Sequence, residues 1–238
     1  MPKFSSFNAY GSESMNVGQS HIPVWLGTVT PVPVGGVLAT SYLKAGFLLG
    51  AGAPVNLNAK VLTPFVGWEV VSFTGATGSE TVDSIVVKPA SFGAIDIIPA
   101  VGDIIQKVGA TFAATGKAAA VASVTLITEG TNKGCYTLTV LHAATIDSVS
   151  AGDVLTISAS ESAGNDKSIK VVPNGYLYND IYLGNLDDSE AAVTAKTIAA
   201  TGAVVKFHHE GLIVELTPSA ALKAQMAAAV PGVLQVLV

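Results

Sequence analysis

The stretch Ala120-Val-Ala-Ser-Val-Thr-Leu-Ile-Thr128, Glu129-Gly-Thr-Asn-Lys-Gly134, Cys135-Tyr-Thr-Leu-Thr-Val-Leu141 decides the fold class. Both arms alternate with a period of two, and a Gly- and Asn-bearing turn divides them, so the stretch reads as an antiparallel hairpin. Tyr136, Leu138 and Val140 then share one face, which predicts a core on that side. Working outward, Trp68-Glu-Val-Val-Ser-Phe73 and Asp83-Ser-Ile-Val-Val-Lys88 read as strands around a turn through Gly75 and Gly78. Val101-Gly-Asp-Ile-Ile105 returns fifty residues later as Ala151-Gly-Asp-Val-Leu155, each a Gly-Asp turn launching an apolar strand. These are read as paired edges of one barrel, and residues 61–168 are expected to form a β-barrel or sandwich. A repeated Gly-Asp pair could also suggest a cation site. No series of oxygen ligands at alternate positions follows either copy, so a turn is the favoured reading.

The flanks read differently. Residues 1–60 hold no sustained period, yet carry aromatics at Phe4, Phe7, Tyr10, Trp25, Tyr42 and Phe47. An extended N-terminal arm is expected, lying either on a partner surface, with Phe4, Phe7 and Trp25 as its candidate contacts there, or folded back on its own domain. Val29-Thr-Pro-Val-Pro-Val-Gly-Gly36 makes a poor internal strand, because Pro31 and Pro33 cannot donate ladder hydrogen bonds, so an edge or a tether is expected there. Beyond the polar linker 158–167, residues 169–238 predict a small α+β domain. Its strands are read at 176–182, 203–208 and 211–216. Thr217-Pro218 supplies an N-cap and a first-turn proline for a helix with Leu222, Met226 and Val230 on one stripe. Pro231-Gly232 ends that helix, and Val233-Leu-Gln-Val-Leu-Val238 is expected to complete a sheet.

Composition bounds the function. Of 238 residues, 50% are hydrophobic and 12% charged; the cations are all lysine, and the net charge is −5. Without a basic surface or arginine forks, nucleic-acid binding is disfavoured. With a mean hydropathy of +0.53, the chain is short of charge to cover a solitary monomer, and a homo-oligomer is the natural expectation. No membrane span is expected: the charge-free stretch from Ser14 to Leu43 is interrupted by Pro23, Pro31 and Pro33. The single cysteine, Cys135, forms no intrachain disulfide and no cysteine-built zinc site. The first residues lack the features of a secretory signal, so synthesis and maturation in cytoplasm are expected.

Few residues suggest chemistry. His208-His-Glu-Gly211 could present ligands, but neighbours on a strand diverge to opposite faces, so a strand end and turn is the plainer reading. Asp187-Asp188 sits in a Gly-Asn-Leu-Asp-Asp-Ser loop and reads as solvated. No nucleophile elbow and no phosphate-binding glycine loop is present in the sequence. The expectation is a protein that is not an enzyme, with no catalytic residue, metal or cofactor.

The stretch Val172-Pro-Asn-Gly-Tyr-Leu-Tyr-Asn-Asp-Ile181, with an Ala/Val-rich segment near Val204 and His209-Glu-Gly-Leu-Ile213, resembles the C-terminal part of tailed-bacteriophage head fiber and capsid decoration proteins. Gly175, Leu177, Asp180 and Ile181 carry the likeness, which covers the last third of the chain. The resemblance implies a virion structural protein, made in the host cytoplasm, that trimerises on the outside of an icosahedral head and binds the major capsid protein. The alternative is a β-rich surface module for a host glycan or receptor. There Tyr176, Tyr178 and Tyr182, alternating on one strand, would serve as a stacking platform, and otherwise as trimer contacts or core packing.

Overall fold

Runs of Val, Ile and Thr punctuated by glycine turns give a mainly β chain whose centre closes into a six-stranded antiparallel barrel. The computed structural model describes residues 52–75, 82–90, 99–141, 146, 149–177 and 220–230 with their side chains. It also describes the backbone of strands at 25–31, 37–38, 48–49, 181–182, 207–215 and 233–237.

The barrel strands are β6 (Gly67–Thr74), β7 (Val82–Pro89), β8 (Ile104–Lys107), β9 (Gly116–Leu126), β10 (Tyr136–Leu141) and β11 (Val154–Ile157). Their spatial order is β6-β7-β10-β9-β8-β11, closing back onto β6. Strands β8, β9 and β10 are joined as successive hairpins and β11 returns beside β8, which is a Greek key. The interior is filled by Val70, Ile85, Val87, Ile105, Val121, Leu138, Val140 and Leu155, with Tyr136 half-buried at its edge, as the alternation predicts.

The barrel is built twice. In the first half Val70 pairs with Val87 and Ser72 with Val86, leaving Val71 as a bulge. In the second half Val121 pairs with Val140 and Ser123 with Thr139, leaving Ala122 as the bulge. The two Gly-Asp turns repeat down to single hydrogen bonds. Gly102 N–H donates to Val121 O at 2.8 Å, and Gly152 N–H to Val70 O at 2.8 Å. Both glycines have left-handed backbone, with φ of 90° and 89°. The register closes the symmetry: Val87 pairs with Tyr136, and their counterparts Val140 and Asp83 pair with each other. A pseudo-two-fold axis therefore runs through the β7/β10 and β8/β11 seams.

A second sheet packs on the barrel core through Val55, Leu62 and Leu177. Its strands are β1 (Trp25–Pro31), β2 (Val37–Leu38), β4 (Pro54–Asn58), β5 (Val61–Pro64), β13 (Gly175–Leu177), β15 (Phe207–Glu215) and β16 (Val233–Leu237). They run in the order β1-β15-β13-β4-β5-β2, with β16 parallel to β15. Helix α1 (Ala220–Ala229) connects β15 to β16. Leu222, Met226 and Val230 are buried with Phe65, Val108, Phe112, Val154, Ile169, Val171 and Tyr176 in a second core, as their helical stripe predicts. Phe65 and Phe112 meet edge-on there at 5.6 Å between ring centroids. Strand β11 is buried on both faces: Leu155 points into the barrel, Val154 into the second core.

Three expectations are corrected. The segment read as an arm without a strand partner is in part woven into the second sheet, where β1 pairs with β15 and β4 with β13 and β5, while β3 (Leu48–Leu49) pairs with β14 (Ile181–Tyr182) in a separate two-stranded sheet. Its apolar residues find ladder partners far away in sequence, which local periodicity cannot reveal; β1 is nevertheless an edge strand, as Pro31 requires. The polar linker is not free either. Its residues 164–167 form β12 (Gly164–Lys167) against β9, and Ser158 N–H donates to Ile104 O at 2.8 Å. Finally, His208 through Gly211 form no turn, because Phe207–Glu215 is one continuous strand.

Candidate functional surface

With the β11 flank of the barrel under α1 and the second core, the opposite flank presents the outward positions of β6, β7, β10 and β9. The register aligns them in rows across four strands. One row runs Thr74, Ser84, Thr139, Ser123, and the next Ser72, Val86, Thr137, Thr125. A third, shorter row pairs Val82 with Leu141, both exposed. Adjacent rungs are spaced at the inter-strand distance of ~4.8 Å. Ser123 and Thr139 hydroxyls hydrogen bond across strands at 2.7 Å. The ten side chains of these rows include seven hydroxyls, three aliphatic groups and no charge. Charge returns at the edge, where Lys88 Nζ lies 3.2 Å from Glu69 Oε1.

Duplication makes this face. Val70-Val-Ser-Phe-Thr74 and Val121-Ala-Ser-Val-Thr125 are the same pattern in the two halves. The bulge after the first valine reverses the alternation, so that Ser72, Thr74, Ser123 and Thr125 turn outward while Phe73 and Val124 pack on the core.

No protein-family model, no curated protein and no solved structure matches this chain. The surface must therefore be read on its own chemistry.

The residues singled out in the sequence are placed as follows. Tyr176 is 4% exposed in the second core, so it is neither a stacking platform nor an exposed trimer contact; it is a packing residue. Tyr182 lies on β14 opposite Leu48, and Tyr178 falls outside the described residues. Trp25 starts β1 opposite Ile213, while Phe4, Phe7, Asp187 and Asp188 fall outside the described residues. His208 and His209 occupy consecutive positions of β15, where His208 pairs with both Tyr176 and Pro31. Cys135 is half-buried at the start of β10. Among the described residues no group of three or more His, Cys, Asp and Glu could hold a metal ion. No helix there is long and apolar enough to cross a membrane.

Both Gly-Asp motifs are turns. Asp103 Oδ2 accepts from Ala100 N–H at 2.7 Å, and Asp153 Oδ2 from Ser150 N–H at 2.7 Å. Asp153 Oδ2 also lies 2.8 Å from Lys107 Nζ. These carboxylates are engaged in holding the turns, which is work that needs no cation.

Sequence reasoning missed the hydroxyl face. Its signal was available as the repeated Val-x-Ser-x-Thr pattern, but the bulges hide it from a period-two reading.

Proposed function

We propose that this chain is a virion structural protein, a head fiber or capsid decoration protein that assembles on the outer surface of a phage head and binds its major capsid protein. The observation that carries the reading is the charge-free barrel face in a chain with 12% charged residues and no arginine, a surface suited to contact with protein rather than to catalysis. The likeness of Gly175, Leu177, Asp180 and Ile181 to head fiber proteins supports the same class. In this chain Gly175 and Leu177 are buried in β13, so the likeness there lies in residues that build the sheet. A homotrimer fits the composition, since association covers apolar area at about 25 cal/mol per Å².

Residues 1–24, with Phe4 and Phe7, remain the candidate shell anchor under this reading, in which three arms per trimer act together and avidity strengthens a weak single contact. Co-sedimentation with shells of the cognate major capsid protein tests the reading. Saturable binding at a fixed ratio supports it. Protein that stays in the supernatant at every ratio overturns it.

A further inference from the structure

We infer that the hydroxyl-lined face of β6, β7, β10 and β9 is where a second copy of this chain docks. The inference deepens the assembly reading and rests on its claim that copies associate; attachment to a capsid is a separate matter.

Four observations converge. Outward strand positions on a soluble barrel are ordinary sites for Lys and Glu, which also protect the protein from unwanted pairing. Here ten such positions in register carry neither. Interface centres are depleted of charge in the same way. Second, the face combines its hydroxyl rows with the exposed pair Val82 and Leu141, at 37% and 54% exposure, which a partner would cover. Third, among the described residues α1 and the second core pack on the opposite flank, over Val154 of β11.

The fourth observation selects the partner. Two copies of a chain with net charge −5 repel wherever like charge faces like charge. They approach best through a neutral face. Every hydroxyl both donates and accepts, so a row of Ser and Thr can hydrogen bond to another such row, which a row of carboxylates or ammonium groups cannot do. The pseudo-two-fold relation of Ser72 to Ser123 and of Thr74 to Thr125 repeats the same groups on both sides of the β7/β10 seam. The same donor and acceptor groups are thus offered at both edges of the face. An anionic polymer is disfavoured by the net charge, and a stacked sugar ring finds no aromatic side chain in these rows.

Charge placed on the face without loss of the barrel tests the inference. Thr125 and Thr137 are cross-strand partners, so Thr125→Glu with Thr137→Lys adds an opposite-charge pair that the barrel tolerates. A second variant, Val82→Lys with Leu141→Glu, does the same two rows away. Glu161→Lys, in an exposed loop elsewhere, is the control. Circular dichroism melts establish that each variant is folded, and sedimentation velocity at micromolar concentration reads its mass. The expected result is an oligomeric wild type and control, with folded double variants shifted to monomer. An oligomeric wild type whose folded double variants keep its mass overturns the docking face alone. A monomeric wild type overturns the association of copies as well.

Discussion

Asp103 and Asp153 perform the same task in the two halves of one barrel: each Oδ2 accepts the backbone N–H three residues earlier at 2.7 Å. Each turn then hands its chain to the neighbouring half, Asp103 O accepting from Val121 N–H and Asp153 O from Val70 N–H. Hydrogen bonds to a charged acceptor are worth about 1.5–3 kcal/mol. Asp103→Ala is expected to destabilise by about 1.5–2 kcal/mol, the low end of that range, for a half-exposed site. Asp153→Ala should cost at least as much, since it also separates Lys107 from its partner 2.8 Å away. Urea unfolding of both variants checks the order.

Gly102 and Gly152 offer a purer test of backbone strain. A Cβ at either would meet nothing within 4 Å, yet both residues hold φ near +90°. Gly102→Ala and Gly152→Ala are therefore each expected to cost about 1–2 kcal/mol without any clash. Two equal falls in thermal midpoint would reflect the repeated geometry.

The opposite change stabilises the β4–β5 hairpin. Asn58 pairs with Val61, so Ala59 and Lys60 form a two-residue loop, with φ of 48° and 68°. Such turns favour Asn-Gly. Ala59→Asn with Lys60→Gly is expected to stabilise by about 1 kcal/mol, read as a raised melting temperature.

Tyr176 separates packing from recognition. Because it is buried with Phe65, Met226 and Val230, Tyr176→Ala is expected to destabilise by about 3–5 kcal/mol, as for other large aromatic truncations. Any loss of binding in that variant should track its unfolding, measured by the melt of the same preparation.

Truncation separates the arm from the sheet. Deleting residues 2–58 removes β1 and β4, and with β4 the buried Val55 that pairs with Gly175. That deletion is expected to expose apolar surface, seen as dye binding and lost cooperativity. Deleting 2–24 leaves both strands in the chain.

The barrel was legible because its information is local. The hairpin around Gly130, the Gly-Asp turns and the Leu222, Met226, Val230 stripe all lie within a few residues of what they determine. The second sheet was not, since Trp25 finds Ile213 and Val55 finds Gly175 across more than a hundred residues. Asn174 shows the difficulty well. Its side chain accepts from Leu57 N–H at 2.8 Å and donates to Leu57 O at 3.0 Å, standing in for a strand partner that no period announces. The hydroxyl face stayed hidden for a different reason: the bulges at Val71 and Ala122 shift the alternation by one within each strand. For Tyr176 core packing stood beside recognition as an open reading, because alternation tells which residues share a face, not which face is covered.

The most direct measurement of the central claim is a density map of intact phage particles carrying this protein. The account predicts barrel-shaped density outside the capsid shell, in clusters of three copies, with the Thr137 and Thr139 faces turned toward neighbouring copies. A shell with full occupancy of its major protein and no such density outside it, from particles in which the chain is detected only in the soluble fraction, would contradict the account.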